Sequence, residues 1–259
     1  MKYNYHTHTT LCNHARGTNE EYVLAAIEAG FDEIGFADHS PWPYENGFVS
    51  HIRMLPEELE GYCRSIKSLQ EKYKDRISIK LGLECEYFPK YMPWLKEQIK
   101  QHGIDFIICG HHFCVDEPGS IYNGNMTKPQ ELYRYRDDIV EAMETGMFSY
   151  IAHPDIFMRG YPGFDRHCEK ISVDIIEKSK QTGVPLEYNL LGLSHSKNDG
   201  KQGYPYPDFW KMAGEMKPPV TMGVDAHDPS AYLDYELFEK GLEALRDYGL
   251  ETESIIRML

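Results

Sequence analysis

The chain has 259 residues, 41% of them hydrophobic, and its 41 acidic and 27 basic side chains give a formal net charge of -14. A field of that sign repels polyphosphates and disfavours a nucleic-acid scaffold role, although bound cations can invert it locally and admit a small phosphorylated substrate. The sequence has no apolar run as long as a membrane span and no CxxC pair among its six cysteines. Because a strand-like segment begins at Tyr3, we also expect no signal peptide. We therefore expect no membrane association and a cytoplasmic location.

Strand-like apolar segments alternate with helix-like segments from the first residues onward. The predicted strands are Tyr3–His6, Glu33–Ala37, Ile77–Leu83, Asp105–Cys109, Tyr150–His153, Pro185–Tyr188 and Val220–Val224. A helical segment follows each strand, and no linker-like stretch or repeat interrupts the series. Seven βα units of this kind predict an α/β protein with one parallel, barrel-type domain over residues 1–259.

Three of the helices have clear starts. Thr18 to Glu21 form a capping box, and Gly30 is well placed to end that helix. Pro56 opens a second helix, and Thr127–Gln130 caps a third. The apolar stripe of the second contains Leu59, Tyr62, Cys63, Ile66, Leu69 and Tyr73, and that of the third contains Leu132, Tyr135, Ile139, Val140 and Met143. Stripes at this spacing predict helices that pack on a core with one face.

Four long loops follow predicted strands. They cover residues 40–55, 113–127, 154–168 and 190–205. In barrel enzymes the loops after the strands form the face that carries the catalytic residues. We therefore expect the functional site among these loops.

Metal-ligand residue types recur where predicted strands end. His6 and His8 alternate with Thr7, so both imidazoles point to the same side of a strand. An HxH motif alone is a weak signal, but further candidates stand at equivalent strand ends: Asp38, His39, Glu84, His112, His153, Asp225 and His227. Imidazole suits zinc, iron or manganese, and a carboxylate can bridge two such ions. The pattern predicts one polynuclear metal site.

Glu84 has two interpretations. It ends an apolar run, where a buried carboxylate without a cation would be costly. A metal ion would supply that cation, and a buried ion pair with Lys or Arg is the alternative.

Several ordered motifs resemble a known family. The motifs are His6-Thr7-His8, Cys12-Asn13-His14-Ala15, Phe36-Ala37-Asp38-His39-Ser40-Pro41, Arg53-Met54, Gly82-Leu83-Glu84, His153-Pro154-Asp155, Leu186-Glu187-Tyr188-Asn189 and Gly223-Val224-Asp225-Ala226-His227. They resemble the polymerase-and-histidinol-phosphatase (PHP) superfamily, and more narrowly its histidinol-phosphate phosphatases. The resemblance covers nearly the whole chain. It implies a distorted seven-stranded (β/α)7 barrel with a site for three divalent metal ions.

The resemblance also implies three groups of metal ligands. The first group is His6, His8, Glu84 and Asp225; the second is Glu84, His112 and His153; the third is His14, His39 and His227. Of the adjacent pair His111 and His112, the family pattern selects the residue immediately before Phe113, which is His112. His111 would then lie behind the ligands or in the core.

Phosphoester hydrolysis is the chemistry that such a site would perform. Divalent ions lower the pKa of bound water and neutralise the charge on a phosphoryl group. The sequence shows no serine, cysteine or aspartate nucleophile motif, so direct attack by metal-bound hydroxide is the favoured hypothesis. Glu84 and Asp225 would be catalytic through the metals. Asp38 is a candidate proton donor, and orienting the neighbouring His39 is its alternative role.

Cations of the protein are expected to hold the phosphate. Arg159 resembles the basic position that the family uses after the His153 motif, and Arg53 lies in another loop of the same face. Histidinol phosphatases usually have a Gly-Leu-Arg stretch after the Leu186–Asn189 motif, whereas this chain has Gly-Leu-Ser-His, ending at His195. His195 or Lys197 would replace that arginine, although an ammonium group is not equivalent to a bidentate guanidinium.

The first functional hypothesis is hydrolysis of L-histidinol phosphate to L-histidinol and phosphate in histidine biosynthesis. A second is a phosphoesterase for a nucleotide or another small phosphoester, whose base could stack on aromatic loop residues: Trp42, Tyr44, Phe48, Tyr204, Tyr206, Phe209 and Trp210. A third is a non-catalytic metal-binding module. A comparison of substrates separates the first two, and metal content without turnover would favour the third.

Overall fold

Parallel strands alternate with helices along the chain. The computed structural model describes residues 2–45, 47–117, 119–199, 203–252 and 256–259, without the side chains of residues 197–199. The strands among them are β1 Tyr3–Asn4, β2 Glu33–His39, β3 Ser78–Cys85, β4 Phe106–Cys109, β5 Leu186–Asn189 and β6 Val220–Gly223. The α-helices are α1 Asn19–Glu28, α2 Leu59–Tyr73, α3 Met92–His102, α4 Pro129–Glu144, α5 Arg166–Thr182, α6 Leu190–Asp199, α7 Pro207–Met216 and α8 Tyr235–Asp247.

The strand order explains how the predicted ligands meet. Strands β1 to β4 pair in sequence order, β5 pairs with β6, and every pair is parallel. The register sets His39 directly opposite Glu84. Because paired residues of neighbouring parallel strands share a face, both side chains leave the sheet on the same side.

Single-residue bridges continue the pairing between the two sheets. Ile151 pairs with Cys109 of β4 and with Leu186 of β5, and Thr7, just after β1, pairs with Ala226, just after β6. Backbone hydrogen bonds flank each bridge, such as Ala152 N to Cys109 O at 3.0 Å. The parallel sheet is therefore curled, with neighbours joined through short contacts as well as through strands.

The seven-strand count is not confirmed, since the described residues form six strands. The predicted segment Tyr150–His153 contributes only the bridge at Ile151. The chain turns immediately afterwards, because His153 has a positive φ of 31°. Such a backbone conformation lies outside the extended region that a strand requires.

Two of the three predicted helix starts agree with the structure, whereas Pro56 opens a 3-10 turn, Pro56–Glu58, and α2 begins only at Leu59. Thr18 and Glu21 form a capping box, and all six stripe residues of α2 are buried. In α4, Ala142 is buried where the sequence predicted Val140. The predicted loop 190–205 contains α6, whose first turn is capped by Asn189, since its Oδ1 accepts from Gly192 N at 2.9 Å.

One large apolar cluster lies between the sheet and the helices, with side chains from α1 through to α8. Its largest fully buried members include Trp42, Tyr62, Tyr135 and Trp210. Among the described helices, none combines the length and apolarity needed to cross a bilayer.

Candidate active site

A cavity of 430 Å³ opens where the strands end. Eight of the nine predicted metal ligands line it: His8, His14, His39, Glu84, His112, His153, Asp225 and His227. The ninth, His6, is fully buried beside them. The fold thus brings together side chains from both ends of the chain.

Glu84 stands at the centre of the cluster, with imidazoles on several sides. Its Oε1 lies 3.0 Å from His153 Nε2 and 3.3 Å from His6 Nε2. Its Oε2 lies 2.9 Å from His39 Nδ1 and 3.4 Å from His8 Nε2. Gly110 makes room for this carboxylate, because a Cβ there would lie 1.9 Å from Oε1. A carboxylate in this position can bridge two cations.

Asp225 and the remaining histidines complete the cluster. Asp225 Oδ1 lies 3.2 Å from His8 Nε2 and 3.4 Å from His6 Nε2. Nitrogens of His14, His39 and His227 lie within 4.8 Å of one another, as do ligand atoms of His6, His8 and Asp225 and of His6, Glu84 and His153. These spacings allow one ion to contact each set.

Many of the ligand atoms in this cluster are buried and have no hydrogen-bond partner among the residues that the structure describes. They are His6 Nε2, His39 Nδ1, Glu84 Oε2, His112 Nδ1, His153 Nδ1, Asp225 Oδ1 and His227 Nε2. Buried polar atoms are normally paired, because an unpaired one costs about 1–3 kcal/mol. Imidazole nitrogens and carboxylate oxygens are the donors that zinc, iron and manganese bind. The residues therefore fit divalent metal ions.

The buried carboxylates of the cluster favour positive charge beside them. Burial raises the pKa of Asp225, but His6 and the other imidazoles outweigh burial and hold it well below its usual value. Burial lowers the pKa of His6, but Asp225, Glu187 and Glu84 raise it well above its usual value. Protons on the imidazoles and metal ions are alternative ways to neutralise the buried carboxylates.

Two predicted ligands have a strained backbone. His153 and Asp225 have φ values of 31° and 54°, in the left-handed region that residues other than glycine seldom adopt. Each such residue costs on the order of 1–3 kcal/mol and persists where the surroundings hold it in place. Strain of this kind concentrates at functional sites, which agrees with the position of both residues in the cavity.

The adjacent histidines have different environments. His111 donates from Nε2 to Asp138 Oδ2 at 3.0 Å and accepts on Nδ1 from Tyr87 N at 3.3 Å, so both ring nitrogens are engaged. His112 lines the cavity, with Nε2 3.7 Å from Glu84 Oε1. This arrangement agrees with the choice of His112 as the ligand.

Asp38 contacts His8 rather than the ring of His39. Its Oδ1 lies 3.4 Å from His8 Nδ1, and Oδ2 accepts from the backbone N–H and the hydroxyl of Thr9. The side chain is fully buried and is not among the residues that line the cavity. These contacts favour an orienting role over proton donation to a leaving group.

Arg53 is held by carboxylates of the protein. Its guanidinium donates to both oxygens of Glu86 at 3.0 and 2.7 Å and to Glu117 Oε2 at 2.9 Å. A fourth acceptor atom is Ser40 O, at 2.9 Å. Arg53 is 2% exposed and does not line the cavity, so it is not placed to bind the substrate. Its contacts instead join the loop after β2 to the loop after β4.

The other predicted phosphate-binding residues lie differently. Arg159 and His195 both line the cavity and are exposed. Arg159 makes no ion pair with any residue that the structure describes, and its guanidinium lies 5.5 Å from the ring centroid of Tyr122. The side chain of Lys197 lies outside the described residues.

Sequence reasoning gave no site role to Glu86 and Glu187, which touch the cluster, or to Tyr122, Ile52 and Leu191, which line the cavity. Glu86 and Glu187 could have been found, because Glu86 follows Glu84 at the same i, i+2 spacing as His6 and His8, and Glu187 precedes Asn189 in that way. Tyr122 lies in a loop without periodicity, so no local signal marks it. Of the aromatic residues proposed for base stacking, Tyr204 lines the cavity, whereas Trp42 and Trp210 are buried.

Known proteins resemble this chain in sequence and in fold. A model of the PHP domain matches residues 4–191. A protein named probable histidinol-phosphatase from Deinococcus radiodurans is 29% identical over 253 residues, which are 95% of this chain and 94% of the relative. The histidinol-phosphatase of Bacillus subtilis is 24% identical, over 86% of this chain and 92% of that protein.

One solved structure shows the same fold. It is the histidinol phosphate phosphatase of Lactococcus lactis in complex with zinc, L-histidinol and phosphate. The TM-score is 0.73 at 20% identity, and the match covers 100% of this chain and 98% of that one.

Proposed function

Because the chain belongs to the PHP domain family, we propose that it is a metal-dependent phosphomonoesterase that hydrolyses L-histidinol phosphate to L-histidinol and phosphate. The observation that carries this proposal is the cavity itself. Buried carboxylates and imidazoles with unpartnered atoms share it with Arg159, a cation free of ion pairs to the described residues. The named relatives, and the L-histidinol and phosphate bound to the Lactococcus lactis enzyme, support this substrate.

The proposed metal content is three divalent ions, of zinc, iron or manganese. His6, His8, Glu84 and Asp225 would hold the first, Glu84, His112 and His153 the second, and His14, His39 and His227 the third. Three points support the assignment: ligand atoms of His6, His8 and Asp225 lie within 4.8 Å of one another, as do those of the third set, and Glu84 Oε1 lies 3.0 Å from His153 Nε2 and 3.7 Å from His112 Nε2. Bound ions of this kind supply a water molecule with lowered pKa and neutralise phosphoryl oxygens.

The residues of the chain would bind and orient the phosphate ester. Arg159 donates to non-bridging phosphate oxygens, for which a guanidinium offers paired N–H groups. His195, on α6, supplies a second donor where the family has arginine. Tyr122 and Tyr204 shield part of the cavity from water, since both line it, Tyr204 buried and Tyr122 half-buried. Ile52 and Leu191 give it an apolar wall suited to the rest of a small substrate.

One proposal and one prediction concern the chain as a whole. We propose one domain over residues 1–259, supported by the length over which the relatives match. The cytoplasmic location stays a prediction from composition.

Phosphate release from a panel of esters tests the proposed function. Purified protein with added manganese or zinc would be given L-histidinol phosphate, nucleotides, sugar phosphates and a chromogenic ester, with Asp225→Ala as the inactive control. We expect a strong preference for L-histidinol phosphate. Preference for a nucleotide would mean that His195 marks another substrate, and metal binding without turnover would favour the non-catalytic module.

A further inference from the structure

Strand β5 carries two buried polar side chains, Glu187 and Asn189, on the face that looks toward the metal ligands. We propose that this pair positions His6 and Asp225 and couples them to α6, the helix that carries His195. Both residues act through others and are positioning residues. The inference rests on the proposed metal site and not on the identity of the substrate.

Glu187 fixes the orientation of His6. Its Oε1 accepts from His6 Nδ1 at 2.8 Å, and its Oε2 accepts from the backbone N–H of His153 at 3.0 Å. Because Nδ1 is occupied, the unpartnered Nε2 of His6 is directed at Glu84 and Asp225. A carboxylate behind a ligand imidazole sets its tautomer and raises its basicity. Glu187 also holds His153, whose backbone is strained.

Asn189 connects Asp225 to the start of α6. Its Nδ2 donates to Glu187 Oε2 at 2.9 Å and to Asp225 Oδ2 at 3.0 Å, while its Oδ1 accepts from Gly192 N at 2.9 Å. With Oδ2 held, Asp225 directs its unpartnered Oδ1 toward His6 and His8. The Asn189 amide therefore links Asp225, a proposed metal ligand, to α6, the helix that carries His195.

The sheet is shaped to accommodate this pair. Gly223 of β6 lies opposite Asn189, and a Cβ at Gly223 would lie 1.8 Å from Glu187 Oε1. Any residue other than glycine at position 223 would clash with the Glu187 carboxylate. Tyr188, between the two residues, points to the other face and packs against Trp210 with ring centroids 4.9 Å apart. It offers a control on the same strand.

Binding of Co²⁺ to metal-free protein tests the positioning role without any substrate. Glu187→Gln and Asn189→Ala would be compared with Tyr188→Phe by titration with Co²⁺, recording its visible spectrum and its affinity. We expect the two test variants to bind Co²⁺ about 10–100-fold more weakly and with a changed spectrum, and Tyr188→Phe to match the unaltered protein. Wild-type affinity and spectrum in both test variants would overturn the proposal.

The coupling to α6 has its own measurement, the affinity of the Co²⁺-loaded protein for inorganic phosphate. At saturating Co²⁺, Asn189→Ala should weaken phosphate binding more than Glu187→Gln does. The reason is that Asn189, and not Glu187, bonds to Gly192 in α6. Equal phosphate affinity in Asn189→Ala and the unaltered protein would refute the coupling. Thermal melting of each metal-free variant shows whether it folds. If Glu187→Gln does not fold, the Co²⁺ and phosphate affinities of Asn189→Ala test the proposal by themselves. Failure to hydrolyse L-histidinol phosphate would refute the proposed substrate and leave both readouts intact.

Discussion

Glu84 Oε2 and His39 Nδ1 face each other at 2.9 Å, yet neither atom has a hydrogen-bond partner among the described residues. Burial and the neighbouring His8 and His112 help to keep the pKa of His39 well below its usual value, despite the opposing effect of Glu84. A neutral imidazole and a carboxylate at this separation offer lone pairs to a shared cation. This relationship accounts for a buried carboxylate at the end of an apolar strand.

Glu84→Gln should therefore remove metal from the site. The amide keeps the size of the side chain but loses the negative charge that two ion positions would share. We expect the protein to retain fewer ions and its kcat to fall by at least about 100-fold, since even residues behind metal ligands cost 10–100-fold. Elemental analysis and phosphate release measure the two effects. Glu57→Gln, an exposed change at a helix start, is the control, and an unchanged ion count in Glu84→Gln would contradict the assignment.

Metal affinity should fall as the pH is lowered. Burial lowers the pKa of His6 and of His8, but nearby carboxylates raise both well above the usual value. In the metal-free protein these imidazoles hold protons that a cation must displace. Their protonated forms contribute stability that is present below about pH 6.5 and lost as the pH rises through the raised pKa.

Titration with Zn²⁺ at about pH 8 and about pH 6 measures this competition. Weaker binding at the lower pH is expected, with protons released on binding. Affinity independent of pH would show that the imidazoles do not bind the ion.

Arg159→Ala should weaken substrate binding without loss of metal. Arg159 lines the cavity, and a charge-assisted hydrogen bond is worth about 1.5–3 kcal/mol, or roughly 10–100-fold in kcat/KM. Arg159→Lys should recover only part of this, because an ammonium lacks the paired geometry. Steady-state kinetics with L-histidinol phosphate provides the measurement. Arg166→Ala, exposed and away from the cavity lining, should behave as the unaltered enzyme; equal effects of the two alanine variants would argue against a specific role.

Arg53→Ala should destabilise the protein strongly. The change leaves Glu86 and Glu117 without their buried cation, and breaking such a group costs about 3–5 kcal/mol. Arg64→Ala is the matched control, since its pair with Glu60 has both side chains 73% exposed. Such exposed pairs contribute about 0–1 kcal/mol. Urea denaturation compares the two, and similar losses would show that burial of the Arg53 group does not matter.

Gly192→Ala should distort the wall of the cavity. A Cβ at Gly192 would lie 2.4 Å from both the ring and the carbonyl oxygen of Tyr204, and overpacking of this kind costs about 1–3 kcal/mol. The displaced Tyr204 should also raise KM. Gly61→Ala in α2 meets nothing within 4 Å and should stabilise by about 0.5–1 kcal/mol. Thermal melting and kinetics test both, and a neutral Gly192→Ala would show that Tyr204 yields freely.

Local sequence patterns, together with the family resemblance, were sufficient to predict which side chains gather at the cavity. The alternation of His6 with His8 and of Asp225 with His227 sets two side chains on one face, and parallel strands end on one edge. The structure brings the nine predicted ligands together on that basis. The buried stripe of α2 followed from helical periodicity in the same way. These features depend on neighbours within a few residues, so the sequence contains them directly.

Tertiary structure decided the remaining contacts. Arg53 pairs with Glu117, 64 residues away, instead of lining the cavity. Asp38 turned toward His8, and α6 formed where a loop was predicted because Asn189 caps it. The segment around Ile151 stayed a bridge because His153 turns the backbone. The contacts of Arg53 and Asp38 depend on groups distant in sequence that compete for one charge or one hydrogen bond, and only the folded chain fixes which of them meet.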